Sequence, residues 1–401
     1  MLKHISIKGF KSIKELDLDL SPINVLIGAN GSGKSNFISF FKLLRWMIQR
    51  TGQLQFFVGQ SGGASSFLFD GSAVTPQIEA ELNFETTSGK DDYFFRLFYA
   101  ASDTFIFAEE KYRRNIYSNS TGQGLLNIRN NNLGTAIQRN YSGNSGNIDI
   151  SPFSGLATWK SLDAGHKESR LIDDINLGNQ ISRDIFYLIQ SFETHQFHDT
   201  SQTARFKQRW SIEDNQRLKE DAGNLAPFLL RIRDNEPRYY QRIVETLSQI
   251  APFFADFVLA PMGNTILLQW REKGTDLIFS PYQASDGTLR AMALVTLLLQ
   301  PPDSLPDVLI LDEPELGLHP YAINIIGSLI NSVSNRCQVI LATQSPLLVD
   351  CFEPEDIIVV ERNDRESYFK RLDSSSLTDW LEEYSLSELW NKNVIGGRPS
   401  R

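Results

Sequence analysis

The chain has 401 residues, 41% hydrophobic, 22% charged and 11% aromatic, a composition that can bury a core and excludes a wholly disordered chain. Thirty-nine Lys and Arg against 48 Asp and Glu leave a net charge of -9, which excludes a general polycation that coats nucleic acid but not a local basic groove. Two cysteines and five scattered histidines exclude a disulfide framework and a four-ligand cysteine zinc site.

The N-terminus lacks the apolar run of a signal peptide. No stretch of about 18 apolar residues could span a membrane, so the expected location is the cytoplasm. Ile5 and Ile7, then Leu16, Leu18 and Leu20, alternate as strands. Residues 23–27 (INVLI) form a short continuous apolar run, the pattern of a buried parallel strand. A glycine-rich turn follows, and then Phe37, Phe40, Phe41, Leu44, Met47 and Ile48 recur at helical spacing.

That turn, Gly28-Ala29-Asn30-Gly31-Ser32-Gly33-Lys34-Ser35, is a complete G-x-x-x-x-G-K-[ST] phosphate loop. Glycines let backbone N–H groups turn inward around phosphate oxygens. The new helix points its positive end at the same anion. Asn30, Gly31, Ser32, Gly33, Lys34, Ser35 and Asn36 are therefore candidate nucleotide contacts. Lys34 would neutralise the β- and γ-phosphates, and Ser35 would hold Mg²⁺.

Ile78, Ala80, Leu82 and Phe84 alternate and two further β-like runs follow, which predicts an antiparallel sheet. Residues 115–150, rich in Asn, Ser and Gly, read as exposed loops or a hairpin, or as an adaptable contact surface. Residues 168–255 are mostly helical in pattern, with Leu218, Leu225, Phe228, Leu229, Ile232, Ile243 and Leu247 at helical spacing. Three basic clusters carry aromatic neighbours: Lys111, Arg113 and Arg114 beside Tyr112; Arg205, Lys207 and Arg209 beside Phe206 and Trp210; and Arg231, Arg233, Arg238 and Arg242 with Tyr239 and Tyr240. Such mixtures suit phosphate contact and base stacking. Neighbouring acids such as Asp234 and Glu236 suit a solvated, ion-paired face equally well. His195, His198 and Asp199 read either as a metal site or as a local hydrogen-bond network.

Beyond residue 256 the β pattern returns, and the last third alternates three buried-strand candidates (DVLIL, QVILA, DIIVV) with helix-length segments, an α/β arrangement. The first of these strands ends in two acids. Asp312 suits Mg²⁺, usually through water, and Glu313 suits polarising an attacking water. Upstream, Ser285-Asp286-Gly287-Thr288 opens a helix and, as a lone tetrapeptide, is an N-cap.

Taken in order, GANGSGKS, ASDGTLR, VLILDEPELGLHP and QVILATQSP resemble the ABC-class ATPases of the RecF, SMC and OLD kind. HQFHDTS and LWNKNVIGGRP resemble a short bacterial branch of these AAA-type predicted ATPases. The likeness covers residues 1–50 and 280–400. It implies an α/β P-loop ABC-type ATPase head with an antiparallel β lobe and a helical insertion. The expected divisions are 1–75 for the N-terminal part of the head, 76–165 for the β lobe, 166–255 for the insertion and 256–401 for the C-terminal part of the head.

The resemblance further implies ATP and Mg²⁺ as cofactors, and a homodimer in which Ser285 and Gly287 of one copy cap the γ-phosphate held by the other. Glu315 to His319 would run along that interface, with His319 structural more than catalytic. Lys11 falls where a basic nucleotide contact is common. Gln60 is the candidate glutamine linking Mg²⁺ to the insertion, or a plain loop residue. Gln344 stands where such enzymes carry a histidine at the γ-phosphate. Its amide donates a hydrogen bond but carries no charge, which implies slow hydrolysis with binding intact. The implied function is an ATPase whose ATP-dependent head dimerisation acts on DNA in repair or antiphage defence. The alternative is a nucleotide-gated scaffold that holds a separate nuclease or toxin. The 57 residues after Gln344 are too few for the TOPRIM nuclease domain of OLD proteins, so any nuclease is expected on a partner chain. A transporter subunit fits less well, because SDGT replaces the transporter-like LSGGQ.

Overall fold

The computed structural model describes residues 1–49, 52–86, 89–116 and 158–398. All but the first two residues of the Asn/Ser/Gly-rich stretch expected at 115–150 lie outside them. Among the described residues, two six-stranded sheets organise the molecule. The first is antiparallel: β1 (Leu2–Phe10), β2 (Ile13–Asp19), β4 (Gln77–Thr86), β5 (Gly89–Ala100), β6 (Thr104–Ile116) and β7 (Lys160–Leu162), in the order β2-β1-β4-β5-β6-β7. The second contains β3 (Ile23–Ile27), β8 (Phe192–His195), β14 (Val308–Asp312), β15 (Gln338–Thr343), β16 (Ile357–Asn363) and β17 (Glu366–Arg371), in the order β17-β16-β3-β15-β14-β8. Its strands are parallel except β17, which returns from β16 as a hairpin.

Strand parity decides which side each residue serves. Leu26, Ile310 and Ile340 face the antiparallel sheet, with α1 (Lys34–Met47) filling the space between. Phe40 meets Phe10 edge-on at 5.2 Å, and Phe41 meets Phe192 at 5.5 Å. Val25, Ile27, Leu309, Leu311, Val339 and Leu341 face the other way, into a second core. That core includes α5 (Leu225–Asn235), α6 (Pro237–Ile250), α7 (Asp286–Leu299) and α8 (Pro320–Val333). The remaining helices are α2 (Gln53–Gln60), α3 (Leu171–Asn176), α4 (Gln180–Gln190), α9 (Pro346–Val349), α10 (Thr378–Leu381) and α11 (Leu386–Asn391). Short strands β9 (Trp210–Ser211), β10 (Phe254–Phe257), β11 (Thr265–Ile266), β12 (Trp270–Glu272) and β13 (Ile278–Phe279) form two small sheets beside the helices.

The expected divisions cut across both sheets. β1 and β2, assigned to the head, hydrogen-bond into the antiparallel sheet through the β1–β4 ladder. β8, inside the supposed helical insertion, is an edge strand of the core sheet. After α3 and α4, the helical spacing that runs from Leu218 is only partly realised as helix. Leu218 lies in an irregular stretch, and regular helix starts at Leu225.

The first basic cluster is consumed by structure. Arg114 forms a two-pronged pair with the fully buried Asp91 at 2.5 and 2.6 Å and also reaches Asp184 at 2.7 Å, which joins β5, β6 and α4. Arg113 pairs with Asp92, and Lys111 with Glu109. Removing one partner of a buried pair leaves a charge stranded in low dielectric. Asp91→Ala is expected to lower unfolding stability by about 3 kcal/mol. The check is a shifted urea midpoint at unchanged slope.

Candidate functional site

Strand register brings the chemistry together. In the parallel ladders Ile27 is opposite Thr343, Ala342 opposite Asp312, and Leu311 opposite His195. The residues that follow these strand ends are therefore neighbours at one rim: Gly28 with its loop, Gln344, Glu313 and Gln196. The carboxyl ends of parallel strands are where open α/β sheets place ligands.

The phosphate loop is shaped by close approach. Gly28 has φ 153°, and a Cβ there would lie 2.2 Å from the Val360 carbonyl oxygen. Gly33, with φ 118°, precedes α1, and a Cβ there would lie 2.2 Å from Ser367 Oγ. Ser367 braces the loop by donating to the Ser32 carbonyl at 2.6 Å and lies 2.7 Å from Ser12 Oγ. Asn36 donates to Ser12 Oγ at 2.7 Å, so it supports the loop from within α1. Arg362 donates to the Gly31 carbonyl at 3.1 Å. Lys34 is 5% exposed, and its ammonium donates to the carbonyls of Gly28 at 2.7 Å and Ala29 at 3.1 Å. Burial pulls its pKa down, and Glu313, Asp312 and Glu315 push it back up. Asn30, Gly31 and Ser35 are exposed at the rim.

The acids sit opposite. Asp312 is 8% exposed at the end of β14. Burial raises its pKa first, His198 counters, and Glu313 adds to the rise. Glu313 holds φ 47°, a left-handed conformation that a glutamate adopts only under constraint. Its N–H donates to Ala342 O at 2.9 Å, and its Oε1 accepts from the Gln344 amide. Glu315 is buried and accepts from Thr343 Oγ1 at 2.6 Å and from the Gln344 N–H at 3.1 Å. Burial is the main reason that its pKa is raised.

Gln196, which sequence reasoning missed, and His198, which it did not place beside the acids, complete this rim. Gln196 Nε2 lies 3.3 Å from Asp312 Oδ2 and 3.0 Å from His198 Nδ1. His198 Nε2 lies 3.1 Å from the Asp312 carbonyl and 4.0 Å from Glu313 Oε2. The available signal was HQFHDTS following a four-residue strand, but FETH lacks the apolar run that flags a buried parallel strand. The metal reading of His195, His198 and Asp199 fails: no group of three His, Cys, Asp or Glu side chains that could hold an ion occurs among the described residues. The hydrogen-bond reading holds for His198 and Asp199. His195 is buried, with Nε2 3.5 Å from Glu193 Oε2, and Asp199 accepts from the Ser201 N–H.

Two other expectations are corrected. Gln60 ends α2 exposed to solvent, whereas Gln196 is the glutamine at Asp312. Lys11 folds its ammonium over the Phe10 and Phe67 rings at 5.6 and 5.3 Å, and its neighbour Ser12 is the residue that reaches the phosphate loop. The aromatic pocket explains why burial lowers the Lys11 pKa.

Ser285 caps α7 by accepting from the Thr288 N–H at 3.2 Å. Gly287 packs so tightly that a Cβ would lie 2.3 Å from the Gly317 carbonyl oxygen. Ser285, Gly287, Thr288, Gly317, His319 and Phe253 line a cavity of about 200 Å³ that contains no phosphate-loop residue. Arg290, one turn into α7, ties this helix to the rim. It donates to the carbonyls of Phe197 at 3.0 Å, His198 at 3.1 Å and Leu316 at 3.1 Å.

The donor set fits a nucleotide triphosphate with a divalent cation. A glycine cradle that a Cβ would fill, a buried lysine and free first-turn N–H groups suit phosphate. The buried Ser32 Oγ has no partner among the described residues, nor does Glu315 Oε2. Ser35 and Asp312 supply the hard oxygens that Mg²⁺ takes.

Comparison with known proteins agrees. The OLD nuclease of Thermus scotoductus is 22% identical over 96% of this chain and 67% of its own length. The fold matches an Smc head bound to the C-winged helix domain of ScpA, with TM-score 0.56 at 15% identity over 94% of this chain and 99% of that one. It also matches an Smc head with an extended coiled coil bound to the C-terminal domain of ScpA from Pyrococcus furiosus, with TM-score 0.51 at 15% identity over 95% and 98%. These likenesses show that the mixed α/β architecture is that of an Smc-type head. Residues 23–350 match the family model for "AAA domain, putative AbiEii toxin, Type IV TA system", and with most of its length and its nucleotide site inside that match, the chain belongs to this family of AAA/ABC-type ATPases.

Proposed function

We propose that this chain binds and hydrolyses ATP, and that ATP draws two copies together through their nucleotide sites as a switch acting on DNA in repair or antiphage defence. Lys34 and the loop N–H groups would bind the β- and γ-phosphates. Ser35 and Asp312 would hold Mg²⁺, with Gln196 against Asp312; the ion supplies charge neutralisation of the phosphates. Glu313 would accept the proton of the attacking water. Gln344 would hold Glu313 in place and donate toward the γ-phosphate.

The carrying observation for pairing is the separation of surfaces within one chain. The cavity lined by Ser285 and Gly287 holds no residue of the phosphate loop, so these residues would meet the nucleotide of a second copy. Ser285→Arg is expected to leave ATP binding intact and to suppress turnover, by intruding where the opposing γ-phosphate sits. Mixed with Lys34→Ala, it should regain partial activity, because in a head-to-tail pair one composite site carries both lesions and the other neither. Absence of rescue at every mixing ratio in a phosphate-release assay defeats shared sites.

One observation favours a second reading, a nucleotide-gated scaffold that holds a separate nuclease or toxin. The cations singled out for DNA are largely engaged. Arg205 pairs with Asp221 and Arg233 with Asp234, Arg231 donates to Asn215 O, and the buried Lys207 donates to Thr200 O. ATP turnover that rises with added duplex DNA supports the first reading. Turnover indifferent to DNA, with an effector chain co-purifying, supports the second.

A further inference from the structure

We propose that His198 is a positioning residue for Glu313: its Nε2–H, held by the Asp312 carbonyl, stands beside the carboxylate oxygen that Gln344 does not hold. The proposal deepens the ATPase reading above and rests on it.

Hydrogen-bond chemistry fixes the ring. A carboxylate only accepts, so the Gln196 side-chain atom 3.3 Å from Asp312 Oδ2 is its amide nitrogen. The same nitrogen lies 3.0 Å from His198 Nδ1. An amide NH₂ only donates, so Nδ1 accepts and the ring proton sits on Nε2. That N–H is aimed at the Asp312 carbonyl, 3.1 Å away, with Glu313 Oε2 4.0 Å away.

The backbone beneath the ring is fixed as well. Arg290 donates to the carbonyls of Phe197 and His198, so α7 holds the loop that carries the imidazole. Across the site, Gln344 donates to Glu313 Oε1. Each carboxylate oxygen thus has a neutral donor near it, Gln344 at Oε1 and His198 at Oε2. The first is hydrogen-bonded to Glu313, and the second, donating to the Asp312 carbonyl, is about 1 Å beyond hydrogen-bond range of Oε2. Neutral donors suit this task because they orient a carboxylate while leaving its negative charge, and so its basicity, largely in place. A cationic partner at the same point would orient it and weaken it together. The left-handed backbone of Glu313 restricts the directions its side chain can take, so holding both oxygens sets where a water is met.

The test compares steady-state ATP turnover of the parent with His198→Leu and His198→Gln. Leucine approximates the volume of the ring without a donor, and the glutamine amide reaches near the Nε2 position with one. His198→Leu is expected to lower kcat about 10–100-fold, the usual loss when a supporting shell is removed, with KM for ATP unchanged. His198→Gln is expected to recover most of that loss. His198→Leu at the parental kcat overturns the role, and so does a glutamine variant as impaired as the leucine one. Calorimetric ATP affinity equal to the parent's confirms that each variant is folded. Should the leucine variant not fold, the glutamine variant alone decides: a kcat lowered like that expected for leucine, with ATP affinity intact, overturns the proposal. A parent that does not turn over ATP overturns the ATPase reading and this role together. An active parent with inactive Glu313→Gln and unimpaired His198→Leu overturns this role alone.

Discussion

Lys34→Ala is expected to reduce ATP affinity by about 10- to 100-fold, since a charge-assisted hydrogen bond contributes about 1.5–3 kcal/mol and every 1.4 kcal/mol is tenfold. The side chain is buried against its own loop and donates to two loop carbonyls. The ammonium is thus already desolvated and aimed into the cradle, and binding phosphate exchanges weak dipoles for full negative charge. Alanine removes the cation and also leaves the Gly28 and Ala29 carbonyls facing the phosphate, which repels it. The fold should survive, because α1 is anchored by Phe37, Phe40 and Phe41. Titration calorimetry checks the expectation, and an affinity equal to the parent's would sink the phosphate-loop assignment.

Glu313→Gln is expected to keep ATP binding and to lose about 10²–10⁴ in turnover, the usual contribution of a general base. The substitution is nearly isosteric, and Gln tolerates the left-handed backbone no worse than Glu. A carboxamide can still meet the Gln344 amide through its oxygen, so the site should keep its shape and lose only the group that takes the proton. Under head pairing, such a variant should accumulate with ATP bound. Phosphate release and nucleotide binding measured on one preparation check this. A parental rate would assign water activation to another residue.

The parts of the site that were legible in the sequence are those encoded locally. The phosphate loop is eight consecutive residues between strand and helix, and Asp312 and Glu313 end an unbroken apolar run. Both local patterns are matched by local structure. Gln196 and His198 were not legible as site residues, because their position depends on β8 pairing with a strand more than one hundred residues later. Nothing in FETH announces that pairing: its buried glutamate takes Arg217, and its buried histidine lies against Phe197. Gln60 shows the converse error. It stands in a suggestive loop sequence, yet it closes a helix that projects it into solvent. The sheet shared between residues 1–75 and 76–165 was not legible for a related reason. Alternation identifies a strand but not its sheet, and β1 finds its partner in β4 across the core strand β3 and the phosphate-loop helix.

Arg290 gives the molecule one further property. It rises from the helix that Ser285 opens and grips the loop carrying His198 as well as the backbone just beyond Glu313. Under head pairing, one guanidinium would join the part of a chain that faces its partner's nucleotide to the rim around its own. Two sites linked this way are not thermodynamically independent. Any free energy by which nucleotide at one site favours a particular placement of α7 is felt at the other, and by linkage the influence is equal in both directions. The two sites of a pair would then respond to ATP as one coupled unit, with nucleotide at either site changing the affinity of the other.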